Sequence, residues 1–162
     1  MVKRIITCVL ALFIAASIVP LFSSAQGLPE FSITSPANIW LDNEFTVRIN
    51  AENISNMYAN EVVLYYDTDK LELVGVNSSI DNGSGFSVGP IEDEDKVTFA
   101  YTKTGSVPME SGSMELCSLT FRAVKEGEAY VRLEHVKITD INARSNTYTV
   151  NKQISVTAKK AS

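Results

Sequence analysis

The chain has 162 residues, with 14 Lys and Arg against 19 Asp and Glu, two cysteines and a single histidine. That balance disfavours a nucleic-acid partner, because phosphate backbones are held by clustered Lys and Arg. It also leaves too few soft ligands for an ordinary zinc site.

Lys3 and Arg4 precede an apolar run from Ile5 to Ile18, then Pro20 and the small residues Ser23, Ser24 and Ala25. This is signal-peptide grammar with cleavage expected after Ala25; an uncleaved N-terminal anchor is the alternative. Cys8 lies early in the run, away from the cleavage point, which argues against a lipid on that cysteine. Residues 1–25 are therefore assigned to a signal peptide, 26–158 to one β-sandwich domain and 159–162 to a frayed tail. A secreted, extracellular protein is expected, without stable membrane insertion after cleavage. Without Lys3 and Arg4, 12 basic residues face 19 acidic ones, a formal net charge of −7. Excess acid favours solubility and a partner surface carrying Lys or Arg. With Cys117 alone, no internal disulfide forms and a hydrophobic core must hold the fold.

From Phe31 onward apolar and polar residues alternate at a period of two, and no stretch keeps a helical period for three turns. Phe45, Val47 and Ile49 point one way, with Glu44, Thr46, Arg48 and Asn50 opposite, the pattern of a strand with one buried face. Asn53 to Asn56 reads as the turn that ends it. Tyr58 to Tyr66 sets Val62, Leu64 and Tyr66 against Glu61, Val63 and Tyr65, so both faces carry apolar groups. Asp67 to Lys70 is a turn, Leu71 to Val76 a strand, and Asn77 to Gly85 a break. Phe86 and Val88 suggest a brief strand and Glu92 to Asp95 an acidic turn. Val97 to Lys103 is a strong strand, followed by a loop from Gly105 to Gly112. Cys117, Leu119, Phe121 and Ala123 form a buried face. Lys125 to Glu128 turns the chain into Ala129 to Val136, and Tyr148, Val150, Ile154 and Val156 close the domain. About nine strands separated by turns predict an all-β fold, a nine-stranded antiparallel β-sandwich.

No catalytic constellation emerges, and no enzyme activity or cofactor is expected. His135 has no nucleophile elbow to serve and reads as a structural or surface residue. Asp67 with Asp69, and the run Glu92 to Asp95, fall in turns and lack the spacing that wraps calcium, so no metal site is assigned. Paired glycosidase carboxylates would have to come from the same turn clusters and are not assigned there. Cys117 alternates with Leu119 and Phe121 and reads as an inert buried thiol. Asn-x-Ser sequons at Asn53, Asn77 and Asn82 fall in expected loops. Direct polysaccharide binding is the competing function. It would need a row of exposed rings drawn from Trp40, Tyr58, Tyr65, Tyr101, Tyr130 and Tyr148.

The segment from Tyr58 to Val76, with Tyr66-Asp67-Thr68-Asp69 followed by Leu71-Glu72, resembles the third and fourth strands of cohesin domains. Val97 to Gly105 is similar to the family's fifth strand and the loop after it. Gly112 to Ala123 is similar to its sixth, and Lys125 to Glu128 stands at its Gly-containing turn. Thr68 departs from the Pro often found there. The resemblance covers nearly all of the chain after the signal peptide. It implies a jelly-roll sandwich, the scaffoldin module of a cellulosome, that binds dockerins. Those calcium-loaded helical tags belong to secreted polysaccharide-degrading enzymes. The resemblance also implies a binding face built from the third, fifth, sixth and eighth strands. Carried onto this chain, the contacts are Ala59, Glu61, Val63 and Tyr65, then Val97, Phe99 and Tyr101, with Thr102, Thr104 and Gly105 as polar neighbours. Thr102 stands where many cohesins carry an acidic contact. Independently, Val63, Tyr65, Val97, Phe99 and Tyr101 are read as alternating away from the core, which would make an outward apolar patch.

Overall fold

The computed structural model describes residues 27–161. The signal peptide expected over 1–25 lies outside the described residues. Ten strands run in chain order: β1 Glu30–Thr34, β2 Asn38–Trp40, β3 Glu44–Met57, β4 Ala59–Tyr66, β5 Leu71–Ser78, β6 Gly85–Asp93, β7 Lys96–Lys103, β8 Glu110–Ala123, β9 Gly127–Thr139 and β10 Ser145–Lys159. They form a four-stranded sheet, β1-β3-β8-β5, and a six-stranded sheet, β2-β10-β9-β4-β7-β6. The fold is the all-β sandwich that the alternation predicts and the jelly roll that the resemblance implies, with ten strands among the described residues in place of nine. One ladder departs from the antiparallel rule. The short strand β2 runs parallel to β10, which carries Lys159, assigned in the sequence to the tail, into the sheet.

The core lies between the sheets. Phe45, Val47, Ile49, Leu119 and Phe121 come from the four-stranded side, and Val62, Leu64, Tyr66, Val97, Phe99, Val131 and Leu133 from the other. Phe121 is its pivot, stacked on Phe45 at 5.9 Å and tilted against Tyr66 at 5.1 Å between ring centroids. Tyr66 keeps its hydroxyl at the margin and donates to a Glu92 carboxylate oxygen at 2.8 Å. Burial, reinforced by that carboxylate, pushes its phenol far above the ordinary range.

Asn53 to Asn56 do not end the third strand. Asn53 and Asn56 adopt positive φ, 57° and 54°, at two register shifts of the β3–β8 ladder. Asparagine tolerates the left-handed region, so the residue type that signals a turn here makes bulges instead. The strand continues, and Ile54 and Met57 beyond Asn53 are fully buried.

On the outer face of the four-stranded sheet both arginines are held in ion pairs. Arg122 bridges Glu44 at 2.7 Å and Glu72 at 3.2 Å, and Arg48 pairs with Glu115 at 3.1 Å. Such exposed pairs add little stability, and Glu30 and Glu52, opposite each other on the β1–β3 ladder and both exposed, leave this wet surface with an excess of acid.

Two expectations follow from the core. Phe99 is 1 % exposed and Phe86 53 %, so Phe99→Ala should cost about 3–5 kcal/mol and Phe86→Ala less than about 1 kcal/mol, read by urea denaturation. The Cys117 thiol, enclosed by the core and near Glu115, is pushed up to about 12. The unfolded thiol ionises near about 8.5. Its burial therefore stabilises fully below that pH, and the contribution drains away as pH climbs toward the folded value. Cys117→Ala should flatten the alkaline fall in stability, and native Cys117 should resist a thiol reagent at pH 8 until denaturant is added.

Candidate functional site

The outward face of the six-stranded sheet is ordered by its ladders into four rows crossing β9, β4, β7 and β6. The first is Thr139, Ala59, Thr102 and Phe86; the second is Lys137, Glu61, Ala100 and Val88; the third is His135, Val63, Thr98 and Ile91. The fourth is Arg132, Tyr65, Lys96 and Asp93. Two register shifts keep the outer strands in phase with the inner ones. One falls between Val88 and Ile91 in β6, and the other beside Glu134 in β9. Without the first, Val88 and Ile91, three residues apart, would point to opposite faces.

This arrangement corrects the sequence-derived patch. Val97, Phe99 and Tyr101 do not share the face of Val63 and Tyr65. Phe99 pairs with Val62, Val97 with Leu64 and Tyr101 with Asn60, and all three are buried on the inner side. Their neighbours Lys96, Thr98, Ala100 and Thr102 take the outward positions. The strand alternates as expected, but its phase relative to β4 is set by the ladder. Tyr101 reaches from beneath the sheet toward Asp81, at 3.4 Å, and burial chiefly, then the Asp81 charge, raises its phenol pKa.

The residues expected on β4 do lie outward. Ala59 and Glu61 are partly exposed. Val63 is 5 % exposed and stands apart from the core cluster. It is covered on the outer side, in a shallow hollow shared with Glu61, Tyr65, Thr98 and His135. Tyr65 lies under the Arg132 guanidinium, 4.8 Å from the ring centroid, and Arg132 is tied to Glu134 at 2.5 Å. Thr102 joins the first row. Thr104 and Gly105 follow at the end of β7: Thr104 donates its amide to Ser84 at 2.7 Å, and the Gly105 carbonyl accepts from the Tyr58 hydroxyl at 2.8 Å. Gly112 to Ala123, matched to a face strand in the sequence, belongs instead to β8 in the middle of the opposite sheet.

Sequence reasoning missed the apolar margin of the face. Phe86, Val88 and Ile91 on β6 are 53 %, 46 % and 55 % exposed. Residues 86–93 are all exposed, so backbone pairing to β7 holds this edge. Ala100 and Lys137, also missed, lie in the second row. The signal was present: three large apolar residues in a strand whose alternate positions are small or polar. The missing information was that a bulge aligns Ile91 with the other two.

No groups of His, Cys, Asp and Glu suited to a metal ion occur among the described residues. Trp40 is 52 % exposed, but it lies on β2, at the edge of the sheet remote from β6. Tyr66 and Tyr101 face inward, and Tyr148 packs on Phe31 at 5.3 Å. Of the rings proposed for a sugar-stacking row, Trp40, Tyr101 and Tyr148 therefore do not share one outward line.

A jelly-roll β-sandwich module with one charged outer face and one partly apolar outer face is the class that this architecture defines. The cohesin domain profile matches residues 29–158, and the chain belongs to the cohesin family. Solved structures agree in fold. A cohesin module from a family 33 glycoside hydrolase of Clostridium perfringens superposes with a TM-score of 0.69 at 14 % identity, covering 82 % of this chain and 98 % of that one. A type II cohesin–X-dockerin complex from Acetivibrio cellulolyticus gives 0.67 at 12 %, covering 81 % and 99 %. The sixth cohesin of scaffoldin B from Acetivibrio cellulolyticus, in complex with a Cel5 dockerin mutant, gives 0.61 at 16 %, covering 82 % and 99 %. No curated protein matches by sequence.

At its bulge the β6 edge depends on a glycine. Gly89 has φ of 99°, and a Cβ there would lie 2.7 Å from the Thr98 carbonyl oxygen. Gly89→Ala should therefore loosen β6 from β7. Hydrogen exchange should rise in β6 and at its β7 partners while β3 and β8 stay protected.

Proposed function

We propose that this protein is a secreted cohesin, released by cleavage after Ala25, that docks dockerin-bearing polysaccharide-degrading enzymes through the outer face of β9-β4-β7-β6. No bond is made or broken; the role is assembly. The observation that carries this reading is the β6 edge. Phe86, Val88 and Ile91 stand half out of water beside Ala100 and Thr98, on a sheet face with no covering element among the described residues. An exposed apolar strip along the sheet margin, next to the charged Glu61, Lys137, Lys96 and Asp93, has the mixture of apolar and polar groups of a recognition surface. The solved cohesin–dockerin complexes among its fold neighbours support the choice of partner class. Covering the exposed halves of Phe86 and Ile91 would contribute about 1 kcal/mol each. Glu61 supplies orientation from the second row. Any calcium required is carried by the dockerin.

The test is calorimetry of the chain from Gln26 against a panel of calcium-loaded dockerins, with and without chelator. Tight, chelator-sensitive binding to at least one is expected. Phe86→Asp and Ile91→Asp should each weaken it by about 2 kcal/mol or more while leaving thermal unfolding nearly unchanged. Silence across the panel, or charged variants that bind as the parent does, would overturn the reading. Retention of the isolated domain on insoluble polysaccharide would favour direct carbohydrate binding instead.

A further inference from the structure

The docking face is not flat at its centre. Ala59 and Ala100 lie diagonally across the β4–β7 ladder, where sheet positions usually carry β-branched or aromatic side chains. Their small side chains leave a depression of about 170 Å³ in front of Val88 and Thr102. A cavity of ~150 Å³ admits a benzene-sized group, so this one has room for a single four-carbon side chain but is tight for an indole. Beside it, Glu61 and Lys137 face each other across the β4–β9 ladder, and neither is in an ion pair with a described residue. On the opposite sheet, by contrast, Arg48 and Arg122 are paired.

We propose that this depression is an anchor pocket: it takes one Leu, Ile or Met side chain from a helix of the partner, with an acidic residue one turn away on that helix set against Lys137. This rests on reading the face as a docking site and adds the chemistry of its central contact. The helix spacing fits. Residues three or four apart on a helix lie about 5–6 Å from one another, and neighbouring strands are about 4.8 Å apart. An anchor seated over Ala59, on β4, therefore places the acid over β9, where Lys137 waits. The net charge of −7 outside the signal peptide would otherwise repel an acidic partner residue. Lys137 gives that residue one favourable place, which fixes the direction of the helix as well as its position.

Filling the pocket tests this. With a dockerin that the parent binds, Ala100→Leu should weaken binding about 30-fold or more, the loss typical of a central anchor. Ala59→Met should do the same from the adjoining strand; both side chains point outward, and unchanged thermal unfolding confirms that the fold survives. Truncating the partner's anchoring aliphatic residue to Ala should make the Ala100→Leu loss largely disappear, and Lys137→Glu should weaken binding by about tenfold. If Phe86→Asp abolishes binding while Ala100→Leu and Ala59→Met bind within about twofold of the parent, the anchor pocket is overturned and the docking reading stands. Failure of the parent to bind any dockerin would overturn both.

Discussion

The pairing of β4 with β7 is the constraint on which the rest depends. Because side chains alternate along a strand, a ladder that sets Val62 against Phe99 and Leu64 against Val97 commits every second residue of both strands to the core. It also commits every intervening residue to the outside. Shifting one strand by a single residue would drive Lys96, Thr98 and Thr102 into a dry interior and expose two large rings. The burial of Phe99, Val97, Val62 and Leu64 against Phe121 and its neighbours thus fixes the outer surface indirectly. The composition of the face is what remains once the core has taken the residues it needs.

The outer edge is a further consequence. β6 adds little to the core, so its side chains were not selected for burial within the domain, yet Phe86, Val88 and Ile91 are large and apolar. An exposed edge strand of this kind is a liability for edge-to-edge association. Pro90, which has no amide hydrogen, and the acidic residues Glu92 and Asp93 blunt that risk. The strand therefore keeps apolar side chains toward one face while its free edge is poorly suited to adding another strand. That combination fits recognition through the face and disfavours strand addition.

Much of the fold was legible because it depends on local alternation. The buried faces of Phe45 to Ile49 and of Cys117 to Ala123, and the opposed faces of Glu61 to Tyr66, follow from period two alone. The phase between strands does not. Val97, Phe99 and Tyr101 alternate as cleanly as Val63 and Tyr65, and nothing local says which set faces in; a long-range ladder decides. Bulges hide in the same way. Asn53 and Asn56 carry turn chemistry but kink a continuing strand, and Gly89-Pro90 looks like a break when it is the step that brings Ile91 into line with Val88. The outward positions of the candidate site on β4 could therefore be read from sequence, whereas those on β6 and β7 required the register.

The two outer faces differ in how their cations are partnered. On β3-β8-β5, Arg122 is held between two carboxylates and Arg48 by a third, so both cations of that face already have partners. On β9-β4-β7-β6, Lys137 and Glu61 stand opposite each other without closing into a pair, next to two alanines that leave space. Surface ion pairs are weak in water, so leaving these two open costs the free domain little. The same charges gain strength once a partner excludes solvent around them. A face that leaves these two charges unpaired beside a hollow and an apolar strip therefore costs the free domain little, and its electrostatic contrast would sharpen if it were covered.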